Sequence, residues 1–293
     1  MACWCDTLFQ LIERTSTDIP ADVEKALRRG LQAEAAGSNA AQTLTAILDN
    51  IQAARERRLP ICQDTGSLLF WVNAPYPGPS RRMFAKAAQE AIRRAVDAGI
   101  LRPNAVDPVT GADAGTSCGP GYPVVHWEET AADKIAVSLL LKGGGSENVS
   151  TQYALPCPEL AASRNLDGVR RCLLHAVQQA QGMGCAPGIL GVAIGGDRGS
   201  GFTESKRQLL RPLSVRSAVP ELAALESRVL VEANSLGIGP MGFGGETTLL
   251  GVAIGALLRV PASYFVSVSY MCWACRHQEL ETDTEGCFRR WLS

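Results

Sequence analysis

Three groups of residues in this chain have the types and spacing for chemistry. The first is the run Ile61-Cys62-Gln63-Asp64-Thr65-Gly66, where a soft thiol stands beside an amide, a carboxylate and a glycine. Cys62 there reads as a nucleophile, a disulfide partner, a metal ligand or a core filler. Asp64, followed by Thr65-Gly66, reads as a proton carrier or as the cap of a turn. The second group is the glycine-rich segments LKGGGSEN (141–148), AIGGDRGSG (193–201) and GIGPMGFGGETT (237–248). Their unobstructed backbone N–H groups suit a carboxylate or phosphate, and they suit tight turns in a packed α/β protein as well. None has the Walker order, because Lys142 precedes its glycines, and none is a dinucleotide fingerprint. The third is Cys272-Trp273-Ala274-Cys275, the spacing of a redox dithiol or of half a zinc site, without a second pair to complete four ligands. Of the histidines, His175 lies on the apolar helix face CLLHAV and reads as a satisfied core residue. His126 alternates with apolar neighbours in a strand pattern, and no Ser or Cys beside a His makes a local nucleophile signature.

These residues need elements to hold them. The first hundred residues read as helices. PADVEKALRRGLQAEAAG opens with Pro20 at a first helical position and stops at Gly37, NAAQTLTAILDNIQAARERR follows with Leu44, Ile47, Leu48 and Ile51 at helical spacing, and SRRMFAKAAQEAIRRAVDAG closes at Gly99. The Cys62 run therefore falls between a basic helix end and the apolar strand SLLFWVNAP. PVVHWEE and KIAVSLLLKGG are strands by their β-branched and aromatic content, as are the buried runs GILGVAIGGD, TTLLGVAIGALL and ASYFVSVSYMCWA. DGVRRCLLHAVQQAQGMG and VPELAALESRVLVEANSLG return to helix. The hexapeptide LGVAIG occurs at 190–195 and 250–255 without matching flanks, which predicts two similar buried strands instead of a duplicated domain. The expected fold is α/β (α+β): a helix-rich N-terminal region packed on a mixed β-sheet flanked by helices. One domain is expected over residues 1–276, followed by a polar, weakly patterned tail over 277–293 that frays.

Bulk properties narrow the function classes. With 46% hydrophobic residues in 293, the chain can bury a real core. Its net charge of −1, from 28 basic and 29 acidic residues, gives no footprint for nucleic acid or an anionic membrane. Arg259 and Pro261 interrupt the most apolar region, Thr248 to Cys275, short of the roughly 18 apolar residues a membrane helix needs. MACWCDTLFQLIERTSTD lacks the plan of a secretory signal, so a soluble cytoplasmic protein is expected, with its ten cysteines reduced and mostly packed as small hydrophobes.

Six segments in order, PICQDTG (60–66), ILRPNAVDPVTG (100–111), LKGGGSEN (141–148), GCAPGILGVAIGGDR (184–198), LGIGPMGFGGETTLLG (236–251) and PASYFVSVSYMCWACR (261–276), resemble one family. It is the iron–sulfur hydro-lyases of the class I fumarase and tartrate dehydratase type, in their N-terminal domain, which some members carry as a separate α subunit. The resemblance implies a [4Fe-4S] cluster on the thiolates of Cys62, Cys185 and Cys272, with Cys275 at a variable position of its motif. Thiolates suit such a cluster, and three of them leave one iron open as a Lewis acid. It further implies Asp64 as the general acid/base, Gln63 and Arg102 as carboxylate-binding residues, and Gly145 as a point where backbone approaches the substrate. The substrate class it implies is a small dicarboxylate, fumarate/malate first, with tartrate and mesaconate differing by a hydroxyl or a methyl.

Two departures from the family pattern carry weight. Val260 stands where some relatives have a histidine near the catalytic carboxylate. No C-terminal-type domain follows residue 276, so a separate β subunit is expected to complete the site, alongside homodimerisation of this chain. These departures keep a second reading in view, a non-catalytic scaffold or regulatory homologue with a vestigial cluster site. Ser146 replaces a cysteine of some relatives without consequence.

Overall fold

The computed structural model describes residues 2–131 and 134–292. In chain order its main elements are α1 (Ala2–Thr17), α2 (Ala21–Ala33), α3 (Asn39–Arg57), β1 (Ser67–Pro75), α4 (Arg81–Asp97), β2 (Val124–Thr130), β3 (Ile135–Lys142), α5 (Gly144–Asn148) and β4 (Thr151–Ala154). There follow α6 (Leu166–Ala180), β5 (Gly188–Gly195), α7 (Arg198–Gln208), α8 (Pro220–Asn234), β6 (Leu249–Leu257), β7 (Phe265–Met271), β8 (Arg276–Thr282) and β9 (Phe288–Trp291). The chain divides into two compact units: residues 1–20, 49–143 and 274–293 form the first, and residues 21–48 and 144–273 the second.

The first unit is built on a five-stranded mixed sheet of order β2-β1-β3-β8-β9, with β1 parallel to β2 and the other neighbours antiparallel. Strand alternation sends Leu68, Phe70 and Val72 of β1 and Val137, Leu139 and Leu141 of β3 to one face, where they pack with Trp4, Leu8 and Ile12 of α1 and Phe84, Ala88 and Ile92 of α4. The Phe84 ring meets Trp4, Phe70 and Trp127 edge to face, with centroids 5.4, 5.9 and 5.8 Å away. Ser80 caps α4 by accepting from the Met83 N–H, and the helix ends before Gly99, as its sequence predicts.

The second unit holds a four-stranded sheet of order β4-β7-β5-β6. The two LGVAIG copies are neighbouring parallel strands, β5 and β6, paired Leu190 to Val252 and therefore slipped by two residues. A two-residue slip preserves the side-chain face. Leu190, Val192, Ile194, Val252 and Ile254 consequently share one core with Val169, Leu173 and Val177 of α6 and with Leu225 and Val229 of α8. Helix α7 lies against the sheet at its small residues: a Cβ on Gly191 would stand 2.1 Å from the Ser205 carbonyl, and Ser205 shares a 2.7 Å hydroxyl contact with Ser269. Below α8, the fully buried Glu226 receives Arg211 and the backbone N–H groups of Ser217 and Ile254.

The α/β expectation holds, but the strands sort into two mixed sheets, since strand propensity does not encode which strands pair. Three further readings differ, and one helix, α7, is not among those expected: RGSGFTESKRQ forms it behind a capping box in which Asp197 accepts from the Gly199 and Ser200 N–H groups. Helix α2 stops at Ala33, short of Gly37. Residues 277–293 do not fray: they supply most of β8 and all of β9, and β8 pairs with the buried strand β3. Finally, Cys3 and Cys287 form a disulfide that ties α1 to the turn before β9, against the expectation of reduced thiols throughout. The pairing joins residues 284 apart in sequence, which spacing could not reveal. Among the described residues no helix is long and apolar enough to cross a membrane.

Candidate active site

In the first unit the Cys62 run is held as a turn between α3 and β1. Its entry is fixed by the Ile61 N–H donating to the Ser16 carbonyl at 3.0 Å and by Asn50 Nδ2 donating to the Ile61 carbonyl at 2.9 Å. Its exit is fixed by Gly66 at φ +80°, where a Cβ would stand 2.8 Å from the backbone of Lys142, so only glycine permits this approach of β1 to β3. Between them Cys62 and Asp64 are half-buried and Gln63 is exposed. Asp64 is a turn cap, one of the two roles its sequence context left open. Its Oδ1 accepts from the Gly66 N–H at 3.0 Å as a turn cap, while its Oδ2 faces Gly143, 3.0 Å from where a Cβ there would sit.

The ILRPN segment is brought to this turn by Thr65, which is 2% exposed. Its Oγ1 accepts from the Arg102 N–H at 3.1 Å and from Asn104 Nδ2 at 3.0 Å. Ser117 completes the clasp, donating to the Arg102 carbonyl at 2.7 Å and accepting from the Asn104 N–H at 3.1 Å. Arg102 thus has a fixed backbone and is exposed. Sequence reasoning missed Thr65, Asn104 and Ser117, whose signal was their adjacency to the motif residues. Next to the turn, Lys142 is 1% exposed, as is Arg276 at the start of β8.

The second unit carries Gly145, Cys185 and Cys272. Gly145 is exposed on the short helix α5, and a Cβ there would lie 3.7 Å from the Met183 carbonyl. Cys185 follows a short 3-10 turn in the left-handed conformation (φ +54°), and its carbonyl accepts from the Trp273 N–H at 3.2 Å, which places the segments of Cys185 and Cys272 side by side. The Tyr270 ring fills the space beneath: a Cβ on Gly184 or Gly188 would come within 2.5 or 2.3 Å of it. Burial, then the nearby Cys272 and Cys185, raise the Tyr270 phenol well above its ordinary range, so it stays neutral. The following loop is braced from α2, where the Glu34 carboxylate accepts from the N–H groups of Glu246 and Thr247. Glu34 was another residue invisible to motif reading. It borders a depression of about 680 Å³ with Ser38, Asn39 and Phe243. Val260 is exposed in the turn between β6 and β7.

The cysteines separate by environment. Cys62, Cys185 and Cys272 form no disulfide, are half-buried and lie outside helix and strand. Cys5, Cys172 and Cys275 form no disulfide and are buried, and burial pushes the Cys172 thiol up to about 12. Cys275 is thus a packed residue, and the C-x-x-C closes no disulfide. Cys118 and Cys157 are half-buried, with thiols raised chiefly by desolvation. His175 is satisfied by Tyr153, 2.8 Å from its Nδ1, and His126 stacks on Trp71 at 5.0 Å. Among the described residues no group of three or more His, Cys, Asp and Glu side chains is gathered to hold a metal ion. Cys62 belongs to the first unit, and Cys185 and Cys272 to the second. The donor chemistry of those three fits an iron–sulfur cluster: they are soft sulfur ligands on turns, outside any disulfide and not packed into a core.

Residues 5–281 match the family described as fumarate hydratase (fumerase). A putative fumarate hydratase class I of Geobacillus stearothermophilus is 47% identical over 292 residues, which cover 98% of this chain and 56% of that protein. The chain therefore spans little more than half the length of that relative. A putative L(+)-tartrate dehydratase subunit alpha of Methanocaldococcus jannaschii is 31% identical, with 92% of this chain and 94% of the relative covered. The L(+)-tartrate dehydratase subunit alpha of Escherichia coli K12 is 30% identical, with 90% and 86% covered.

Proposed function

The chain belongs to the fumarate hydratase (fumerase) family, and from that membership we propose that it is the α-type part of a hydro-lyase that reversibly adds water to a small unsaturated dicarboxylate. Fumarate/malate is the first candidate, with tartrate and mesaconate next. The observation that supports the reading is the Thr65 clasp, which ties the Arg102 backbone to the turn that carries Asp64. Asp64 is half-buried on a turn that its own Oδ1 caps, which holds the carboxylate in place for proton transfer. In the hydration direction Asp64 takes a proton from the incoming water; in dehydration it returns that proton to the departing hydroxyl. Arg102 offers a planar fork to a carboxylate, and Gln63, exposed beside Asp64, orients the same end of the molecule through its amide. The proton exchanged at the neighbouring carbon needs a second group, which we assign to a partner β subunit, in keeping with the alpha-subunit names of two relatives.

Cys62, Cys185 and Cys272 are the residues that would hold a [4Fe-4S] cluster, whose iron without a protein ligand supplies a Lewis acid when bound. The Gly145 backbone borders the substrate, and the chain works in the cytoplasm as a homodimer with its β partner. The test is anaerobic reconstitution of the chain, alone and with a co-expressed β subunit, followed by turnover assays on fumarate, L-malate, tartrate and mesaconate. We expect broad absorbance near roughly 400 nm and hydratase activity that Asp64→Asn abolishes while the absorbance stays. A colourless, inactive wild-type complex after careful iron and sulfide loading refutes the reading and leaves the scaffold alternative.

A further inference from the structure

In the second unit the short helix α5 and the end of strand β7 meet at one hydroxyl. Ser150 follows α5 and stands one residue before β4, whose first residue, Thr151, pairs with Val268 of β7. Beyond that pair the Tyr270 N–H donates to Ser150 Oγ at 3.1 Å. The same hydroxyl donates to the Ser146 carbonyl at 2.9 Å, and the Ser150 N–H donates to the Glu147 carbonyl at 3.0 Å. One side chain therefore closes the last turn of α5 and ties it to β7. Each side of this junction bears on the site. Toward α5 it holds the segment of Gly145, which lies against the Met183 carbonyl. Toward β7 it holds Tyr270, two residues before Cys272, and the Tyr270 ring packs on Gly184 and Gly188, on either side of Cys185. Helix α5 has a second brace, the ion pair of Glu147 with Lys206 of α7 at 2.5 Å, but the Glu147 side chain is 43% exposed and water competes for that pair. Ser150 is half-buried and bonds to the backbones of two buried residues, Ser146 and Tyr270, where an unmade hydrogen bond is costly.

We infer that Ser150 is a positioning residue, whose hydroxyl fixes the backbone around Gly145 relative to the strand end that presents Cys272. The inference rests on the reading above, in which Gly145 borders the substrate and Cys272 holds the cluster. Ser150 touches neither substrate nor cluster. It acts by making the two segments move as one body, so that the place of the substrate and the place of that ligand are set together.

The test follows amide hydrogen exchange in the full-length chain, without cluster or substrate, for wild type, Ser150→Ala, Ser150→Thr and Ser150→Val. Threonine and valine have nearly the same shape and differ in the hydroxyl, so their comparison carries the test if the Ala variant fails to fold. We expect Ser150→Thr to match wild type. Ser150→Ala and Ser150→Val should exchange about fivefold faster at Tyr270 and over residues 146–150, the loss expected for one such hydrogen bond, with the rest of the second unit unchanged. In the reconstituted complex with the β subunit, the Ala and Val variants should lose iron faster to a chelator and show a several-fold higher KM for the dicarboxylate with a smaller change in kcat, and Ser150→Thr should restore both. Exchange that rises across the whole β4-β7-β5-β6 sheet while KM and iron retention stay unchanged marks a merely structural serine and overturns the inference. A Val variant whose Tyr270 exchange and iron retention equal those of the Thr variant overturns it as well. If wild type turns over a dicarboxylate while the variants behave alike, this inference fails and the hydro-lyase reading stands. If the hydroxyl controls local exchange and iron retention but no dicarboxylate is turned over, the hydro-lyase reading fails and the tie between α5 and the Cys272 segment stands.

Discussion

Replacing Thr65 by valine isolates the clasp on which the site depends. The two side chains have nearly the same shape, so packing at this 2% exposed position is preserved and only the hydroxyl is lost. Two donors, the Arg102 N–H and Asn104 Nδ2, then lose their acceptor. Net hydrogen bonds of this kind contribute about 0.5–1.5 kcal/mol each, and buried donors left unsatisfied cost about 1–3 kcal/mol. Because Arg102 and Asn104 are less buried than Thr65, water can reach part of the gap, which sets the expected loss at about 2 kcal/mol. For a chain of 293 residues that corresponds to a thermal midpoint lower by about 3 °C. The loosened ILRPN segment should raise KM for the dicarboxylate several-fold while kcat changes less, since Asp64 keeps its own bond to Gly66. Thr65→Ser retains the acceptor and should restore KM. A Thr65→Val protein that melts within 1 °C of wild type with unchanged KM would refute the argument that this hydroxyl positions Arg102.

Three further outcomes follow from the geometry. Gly188→Ala would put a methyl 2.3 Å from the Tyr270 ring beneath Cys185, so we expect a loss of about 1–3 kcal/mol in denaturant unfolding and poorer retention of any loaded iron, with a wild-type-like protein as the contrary result. Cys172, with its thiol pushed up to about 12, is almost wholly protonated at pH 8, where its thiolate fraction is on the order of 10⁻⁴. It should therefore escape alkylation in the native chain at a pH where the same thiol reacts once the chain is denatured, a pattern that peptide mass mapping reads directly. The denatured, unreduced protein should titrate as eight thiols and the reduced protein as ten, and opening the Cys3–Cys287 bond should cost about 2–4 kcal/mol; ten thiols without reductant would refute the disulfide.

The sequence by itself determined the elements and the chemistry they could carry. Helical spacing located α3 and α4, β-branched runs located β1, β3, β5, β6 and β7, and ordered motifs named Cys62, Gln63, Asp64, Arg102, Gly145, Cys185 and Cys272. Such signals are local, because an amphipathic face or a motif is written in adjacent residues. Only the tertiary structure decided that the strands divide into two sheets, that the 277–293 segment pairs into the first of them, and that Cys3 meets Cys287. It also decided that Thr65, Ser117 and Asn104 clasp the Arg102 segment. Those relations join residues far apart in sequence, and each depends on which acceptor, ring or charge arrives from another strand. No window of sequence contains both partners, so burial and hydrogen-bond satisfaction become legible only once the chain has folded.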